Sequence, residues 1–341
     1  MKIIGLDAHS ATFTMAVQND RGKLMRCFSR RTSEEELITE VGKVSGEKWL
    51  VVEESHLAQW IHVTLKPYVD QLTVCDPRHN RWIAEDDFAD DNSSAKKLAD
   101  LARLGKLKPV YHPDDGIMAE LRSLFLHYHM LNQQLTRAKN QLKATYRQVA
   151  LPTAGAGIYD PSGREQWLDK LKPYAHLTPQ AKHMFALVDA YAEMKQDTHR
   201  KMLARSRRVA AFELLTAMPG VGDVIASGYL AIVITPHRFS RRNKLWRYAC
   251  LGNVHHESDK VVYKKRASRS GNRVLKWLVR QHFQAAVVRS KQSNRFKRQY
   301  DTLMQNGLGK RDARRQVCRS LLSVVRAIWI QGEAYRDEPL S

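Results

Sequence analysis

Cysteine is scarce in this chain: four residues in 341, at Cys27, Cys75, Cys250 and Cys318. None of their spacings is that of a zinc site or a disulfide framework, which points to the reducing cytoplasm. Long apolar runs are also missing, since no stretch of about 18 residues is apolar enough to span a bilayer, and this argues against a membrane protein. The opening residues MKIIGLDAHS read as a strand followed at once by an acid. An export signal instead carries a basic region, a long apolar stretch and a small-residue cleavage site. The third shortage is of acidic residues, and it is local.

Lys and Arg number 56 against 35 Asp and Glu, a net charge of +21. Residues 1–115 hold 16 basic and 19 acidic side chains, whereas residues 200–330 hold 29 and 6, a net of +23. A surplus of that density repels itself unless a polyanion neutralises it, so nucleic acid is the favoured partner over a merely solvated basic face. Acidic lipid fits less well, because surface-bound helices carry Trp, Phe and Leu opposite a continuous basic face, and here the charges interleave with turns.

The first 110 residues alternate between strand-like and helix-like patterns. Lys2 to Asp7, Ala11 to Gln18 and Lys23 to Phe28 form a tight run of three strands, with Asp20-Arg21-Gly22 as a turn. Thr32 followed by Glu35 has capping-box spacing and starts a helix through about Val44. Trp49 to Val52 is a strand ending at Glu53, followed by a helix over 56–66 and a strand from Leu72 to Cys75 stopped by Pro77. The order β-β-β-α-β-α-β is the one an RNase H-like fold requires, although another α/β sheet shares it.

From Leu121 the period changes to three and four, through Leu124, Tyr128, Leu131, Leu135, Ala138, Leu142, Thr145 and Val149, a seam of about four heptads. A second seam runs through Met184, Leu187, Tyr191, Met194, Thr198 and Met202, and the Pro/Gly-containing stretch between them lets the helices return as a hairpin. Two readings stay open: the helices pack on each other alone, or they form a coiled coil with a partner subunit. Beyond residue 212 the chain reads as mostly helical and very basic, entered through Met218-Pro219-Gly220-Val221-Gly222 and a helix from Asp223. That turn suits a phosphate at a helix N-terminus, or its glycines serve close packing. The fold class is α/β plus α.

Two groups of residues suit chemistry. Asp7 and Glu53 end strands, and an acidic run (Glu85, Asp86, Asp87, Asp90, Asp91) precedes a helical segment, Ser93 to Leu104. Carboxylates converging from such places hold Mg²⁺ against phosphate oxygens, so a phosphodiester is the expected substrate. Taken singly, each acid is equally readable as a solvated side chain or a local ion pair. The second group surrounds Ser268: Lys264, Lys265, Arg266, Arg269 and Arg273 place five positive charges within ten residues. Ser268 reads either as a nucleophile activated beside guanidinium groups or as part of a phosphate-binding turn.

Together these pieces resemble the DEDD transposases of the insertion sequence 110/1111 group, relatives of the Piv-type and MooV-type DNA invertases, over nearly the whole chain. The resemblance rests on Gly5-Leu6-Asp7, on Val51-Val52-Glu53-Glu54-Ser55, and on Val74-Cys75-Asp76-Pro77-Arg78 with Asn80. It continues in Leu107 to Tyr111, in Met218 to Gly222, in Phe239 to Gly252, and in Ser268-Arg269-Ser270-Gly271-Asn272. It implies an RNase H-like (RuvC-like) domain over 1–112, a long helical coiled-coil hairpin over 113–212 and a mostly helical basic transposase domain over 213–335. It further implies that Asp7, Glu53 and Asp91 bind Mg²⁺ and that Ser268 attacks DNA to form a phosphoserine link. The expected partners are donor and target DNA, a non-coding bridge RNA and further copies of the chain in a dimer or tetramer, in a bacterial cytoplasm at the nucleoid. One position departs from the family's D-x-x-D helix start: Ser94 stands three residues after Asp91. A hydroxyl is the weaker ligand, so one ion should be held less tightly unless Asp87 or Asp90 compensates. The alternatives are a RuvC-like nuclease that leaves no covalent link, and an inactivated nucleic-acid-binding relative.

Overall fold

The computed structural model describes residues 1–77, 91–114, 116–258, 261–267 and 271–337, with 253–258 and 261–267 described as backbone. The chain divides into two compact units, Met1–Ala119 and Glu120–Ser341.

The first unit is built on a six-stranded sheet in the order β3-β2-β1-β4-β5-β6: β1 Lys2–Ala8, β2 Thr12–Asn19, β3 Leu24–Arg31, β4 Lys48–Glu53, β5 Gln71–Cys75 and β6 Pro109–Val110. β1, β2 and β3 form an antiparallel meander, β4 and β5 add in parallel to β1, and β6 returns antiparallel at the edge. An edge is where the missing N–H of Pro109 is tolerated. Side chains alternate between the two faces of a strand, and each face has its own core. Ile4, Leu6, Leu50, Val52 and Val74 pack with Leu37 and Val41 of α1 (Glu34–Gly42) and with Ala58, Ile61 and Leu65 of α2 (Ala58–Leu65). Ile3, Val51 and Cys75 face the other way, onto Leu98, Ala99 and Ala102 of α3 (Asp91–Arg103).

The cap of α1 falls one residue later than its sequence spacing predicts. Ser33, not Thr32, accepts the Glu36 N–H at 3.2 Å. Thr32 is engaged elsewhere: its N–H donates to Ala11 O at 3.0 Å and its hydroxyl to His9 O at 2.7 Å, closing the β1–β2 connection.

Gly5 shows how closely α3 lies on β1. A Cβ there would stand 1.9 Å from Ala95 O and 2.9 Å from Ala99 N, so only glycine lets the helix backbone rest on the strand. Gln18 on β2 also reaches this helix, donating to Lys96 O at 3.4 Å.

The second unit takes up the long helix α4 (Gly116–Arg147) from Glu120 on, followed by the short α5 (Arg164–Asp169) and by α6 (Thr178–Ser206). Leu135 and Ala138 of α4 pack with Val188 and Tyr191 of α6, and beyond them Leu142 and Tyr146 form a small core with Ile158, Leu171, Leu177, Ala181 and Phe185. The first seam is buried nearly throughout, whereas in the second Leu187 and Met194 are exposed. The buried stripe of α6 runs instead through Ala181, Phe185, Val188, Thr198 and Met202.

After α7 (Ala211–Thr216) comes α8 (Asp223–Val233), in which every residue from Ala226 to Val233 is buried. A Cβ on Gly228 would meet the Phe125 ring at 2.6 Å, and one on Gly220 (φ +76°) would stand 2.5 Å from Ala286 N. These two glycines answer to close packing. There follow α9 (Arg242–Tyr248), an antiparallel hairpin of β7 (Asn253–Ser258) and β8 (Val261–Ala267), α10 (Arg273–Phe283), α11 (Arg295–Gln305) and α12 (Lys310–Gln331). The hairpin interrupts what the sequence reads as mostly helix. None of the four cysteines is in a disulfide.

Candidate active site

Three elements meet at the C-terminal end of β1. The parallel register of β1 and β4 pairs Gly5 with Val51 and Leu6 with Val52, so Asp7 and Glu53 come next on neighbouring strands and on the same face of the sheet. Glu53 is in turn paired with Cys75 of β5. That face is the one covered by α3. Ala95 sits over Gly5; four residues earlier on the helix is about 6 Å, nearly the rise of two strand residues, so the helix that rests on Gly5 delivers Asp91 to Asp7.

His9, two residues after Asp7, completes the group. Its Nε2 lies 3.5 Å from Asp7 Oδ1 and 3.7 Å from Asp91 Oδ1, and one ligand atom from each of the three residues falls within 4.8 Å of the others. The Asp7 side chain is 21% exposed against 55% for Asp91 and 60% for His9. Burial raises the pKa of Asp7 above the usual carboxylate range, an effect opposed by His9 and reinforced by the charge of Asp91. A cation placed between the carboxylates reverses that repulsion, so the donor set of two carboxylates and an imidazole fits a divalent metal.

Asp7 and Asp91, grouped with Glu53 in the sequence reading, are thus brought together, and Glu53 takes the adjacent strand position. His9 was not among the sequence candidates, although the Asp-x-His spacing gives both residues the same strand parity. Ser94 is half-buried, one turn along α3 from Asp91. Glu85, Asp86, Asp87 and Asp90 lie outside the described residues.

The basic motif is bracketed by two described elements. Lys264, Lys265 and Arg266 lie on β8, which ends at Ala267; Arg273 is exposed at the first turn of α10. Ser268, Arg269 and Ser270 lie outside the described residues. Immediately after them Gly271 adopts φ +138° and has no room for a Cβ, which would stand 2.6 Å from Tyr248 O. Asn272 donates its N–H to that same carbonyl at 2.6 Å, and its Oδ1 caps α10 by accepting from Leu275 N at 2.8 Å. The end of the motif is therefore anchored on the end of α9.

Two family models match the chain. One, for DEDD transposases of the IS110 type, covers residues 4–150; the other, described as Transposase IS116/IS110/IS902 family, covers residues 212–301. The chain belongs to the IS110 family of DEDD transposases. Membership makes the first unit an RNase H-like domain, in agreement with its strand order, and makes the chain a divalent-metal-dependent transposase whose substrate is DNA. No curated protein matches the sequence. Among the described residues no helix of this transposase is long and apolar enough to cross a membrane.

Proposed function

We propose that this transposase cuts and rejoins DNA through a metal site on Asp7, Glu53 and Asp91 and a serine nucleophile, Ser268. The observation that supports it best is the convergence of Asp7 and Asp91, from a strand end and a helix start, beside the strand position of Glu53. A divalent ion bound there, Mg²⁺ in this reading, supplies charge neutralisation at the scissile phosphate and at the departing oxygen. The serine Oγ loses its proton and bonds to phosphorus, the bond from phosphorus to a deoxyribose oxygen breaks, and that oxygen takes up a proton as a free hydroxyl. Lys264, Lys265, Arg266, Arg269 and Arg273 hold the strand, with the N-terminal N–H groups of α10 facing the phosphate.

The +23 of residues 200–330 is a charge that nucleic-acid phosphates neutralise. The likeness to the DEDD transposases adds a non-coding bridge RNA that pairs with donor and target DNA, and work at the bacterial nucleoid. The long helices of the second unit join copies as a coiled coil in a dimer or tetramer, so that one copy's acids work with another copy's serine. The domain limits that go with this reading are 1–112, 113–212 and 213–335.

The test is a covalent adduct trapped on nicked DNA. Peptide mapping should place the DNA on Ser268, and Ser268→Ala should remove the adduct while Ser270→Ala keeps it. DNA on Ser270 rejects the assignment to Ser268, whereas metal-dependent cutting by the native chain with no adduct rejects the serine mechanism and favours the nuclease. Mixing Asp7→Ala with Ser268→Ala protein should recover part of the activity if sites are shared between copies, and sequencing of co-purified RNA should yield one structured species.

A further inference from the structure

We propose that His9 is a direct nitrogen ligand to the divalent ion, and that it makes this centre hold Mn²⁺ in preference to Mg²⁺. The inference rests on the reading of Asp7 and Asp91 as metal-holding carboxylates and adds a ligand of different chemistry to them.

Geometry comes first. Octahedral ions with bonds of about 2.1 Å set neighbouring ligand atoms about 3 Å apart and opposite ones about 4.2 Å apart. The separations of His9 Nε2 from Asp7 Oδ1 (3.5 Å) and Asp91 Oδ1 (3.7 Å) fall between those values, so small side-chain adjustments seat all three on one ion.

The backbone of His9 is also held. Its N–H donates to Thr12 O at 2.9 Å, and its carbonyl accepts from the Thr32 hydroxyl at 2.7 Å. The imidazole is therefore presented from a pinned corner of the β1–β2 connection. Two exposed partners in water gain at most about 1 kcal/mol from pairing. With the His9 and Asp91 side chains 60% and 55% exposed, such pairing yields readily to an ion.

The donor count points the same way. Ser94 leaves the helix start with one carboxylate instead of two, and an imidazole is a stronger metal ligand than a neutral hydroxyl. The substitution of nitrogen for oxygen is not neutral between ions. Mg²⁺ takes oxygen donors almost exclusively, whereas imidazole suits first-row transition ions.

The test uses the full chain and Mn²⁺ alone. With one equivalent of Mn²⁺, pulsed electron paramagnetic resonance should detect a directly coordinated ¹⁴N, absent in both His9→Ala and His9→Gln. Mn²⁺ affinity should fall about tenfold in His9→Ala, and Mg²⁺ affinity about threefold or less. Asp7→Asn serves as the reference and should abolish Mn²⁺ binding. If Asp7→Asn does so but the native chain shows no coordinated nitrogen, or the nitrogen persists in His9→Ala, the ligand assignment is overturned and the carboxylate reading stands. If Asp7→Asn binds Mn²⁺ as the native chain does, both fall.

Discussion

The first unit concentrates three ionisable side chains at one strand end, 3.5 and 3.7 Å apart, whereas the second spreads a large basic excess over helices and a hairpin. Part of that excess is structural. Arg319 donates to Leu251 O at 2.6 and 2.8 Å, and Arg326 to Phe239 O at 2.9 and 3.2 Å, so these guanidinium groups hold loops together. Close convergence creates a place for a cation and for chemistry, while distributed charge creates affinity without a single critical residue. The two units should accordingly respond differently to substitution.

The largest effect is expected at the acids. Asp7→Ala and Glu53→Ala should each lower strand exchange by about 10²-fold or more while DNA affinity changes by less than about threefold, because the basic region supplies most phosphate contacts. Filter binding alongside a recombination assay checks this, and a collapse of binding in either variant breaks the division between the units.

Next come the two packed glycines, one in each unit. Gly5→Ala pushes a methyl into Ala95 O and should cost at least about 2 kcal/mol while weakening divalent binding, since α3 carries Asp91. Gly220→Ala, strained at φ +76° and pressed on Ala286, should cost a similar amount and leave metal affinity unchanged. Denaturant titration and metal titration of both variants sharpen the contrast; equal metal affinity in the Gly5 variant removes the proposed role of helix seating.

A pH effect belongs to the second unit. His282 is fully buried between Tyr229, whose hydroxyl meets Nδ1 at 2.9 Å, and Pro219 O, 3.0 Å from Nε2. Burial holds its pKa down at about 4 from an ordinary 6.5, the Pro219 carbonyl opposing slightly. Between these values the unfolded chain binds a proton that the folded chain does not. The stabilisation is full above pH 6.5 and is lost as pH falls toward 4, a change of about 2–3 kcal/mol. Unfolding measured at pH 7 and pH 4.5 should show this slope, and His282→Gln should flatten it, though lowering stability at both.

The smallest effect tests the departure at α3. Ser94→Asp restores a carboxylate at i+3 from Asp91 and should tighten metal binding about three- to tenfold. Unchanged or weaker binding by calorimetry would mean that this turn of the helix does not serve the site.

Periodicity with turn and cap signals placed the first-unit strands and helices within about three residues, the short edge strand β6 excepted, because alternation at two and at three-to-four residues is a local property that burial of one face enforces. It also marked Asp7 and Glu53 as strand ends and the first helical seam as core. Where local signals were ambiguous, long-range partners decided. Thr32 was drawn away from the cap by His9 and Ala11, and the stripe of α6 turned so that Leu187 and Met194 face outward. Polar, charge-rich strands β7 and β8 carry too little apolar alternation to be read as a hairpin.

What residue order determined by itself is the inventory: a carboxylate after an apolar strand, a basic run around a serine, and the family those motifs belong to. Tertiary structure decided how the first-unit carboxylates meet. The parallel register of β1 with β4 set Glu53 beside Asp7, and the absence of a Cβ at Gly5 let α3 settle low enough to bring Asp91 there. His9 entered the same site because its backbone is tied to Thr12 and Thr32. Each of these depends on contacts between residues far apart in the chain, whose geometry no local pattern encodes.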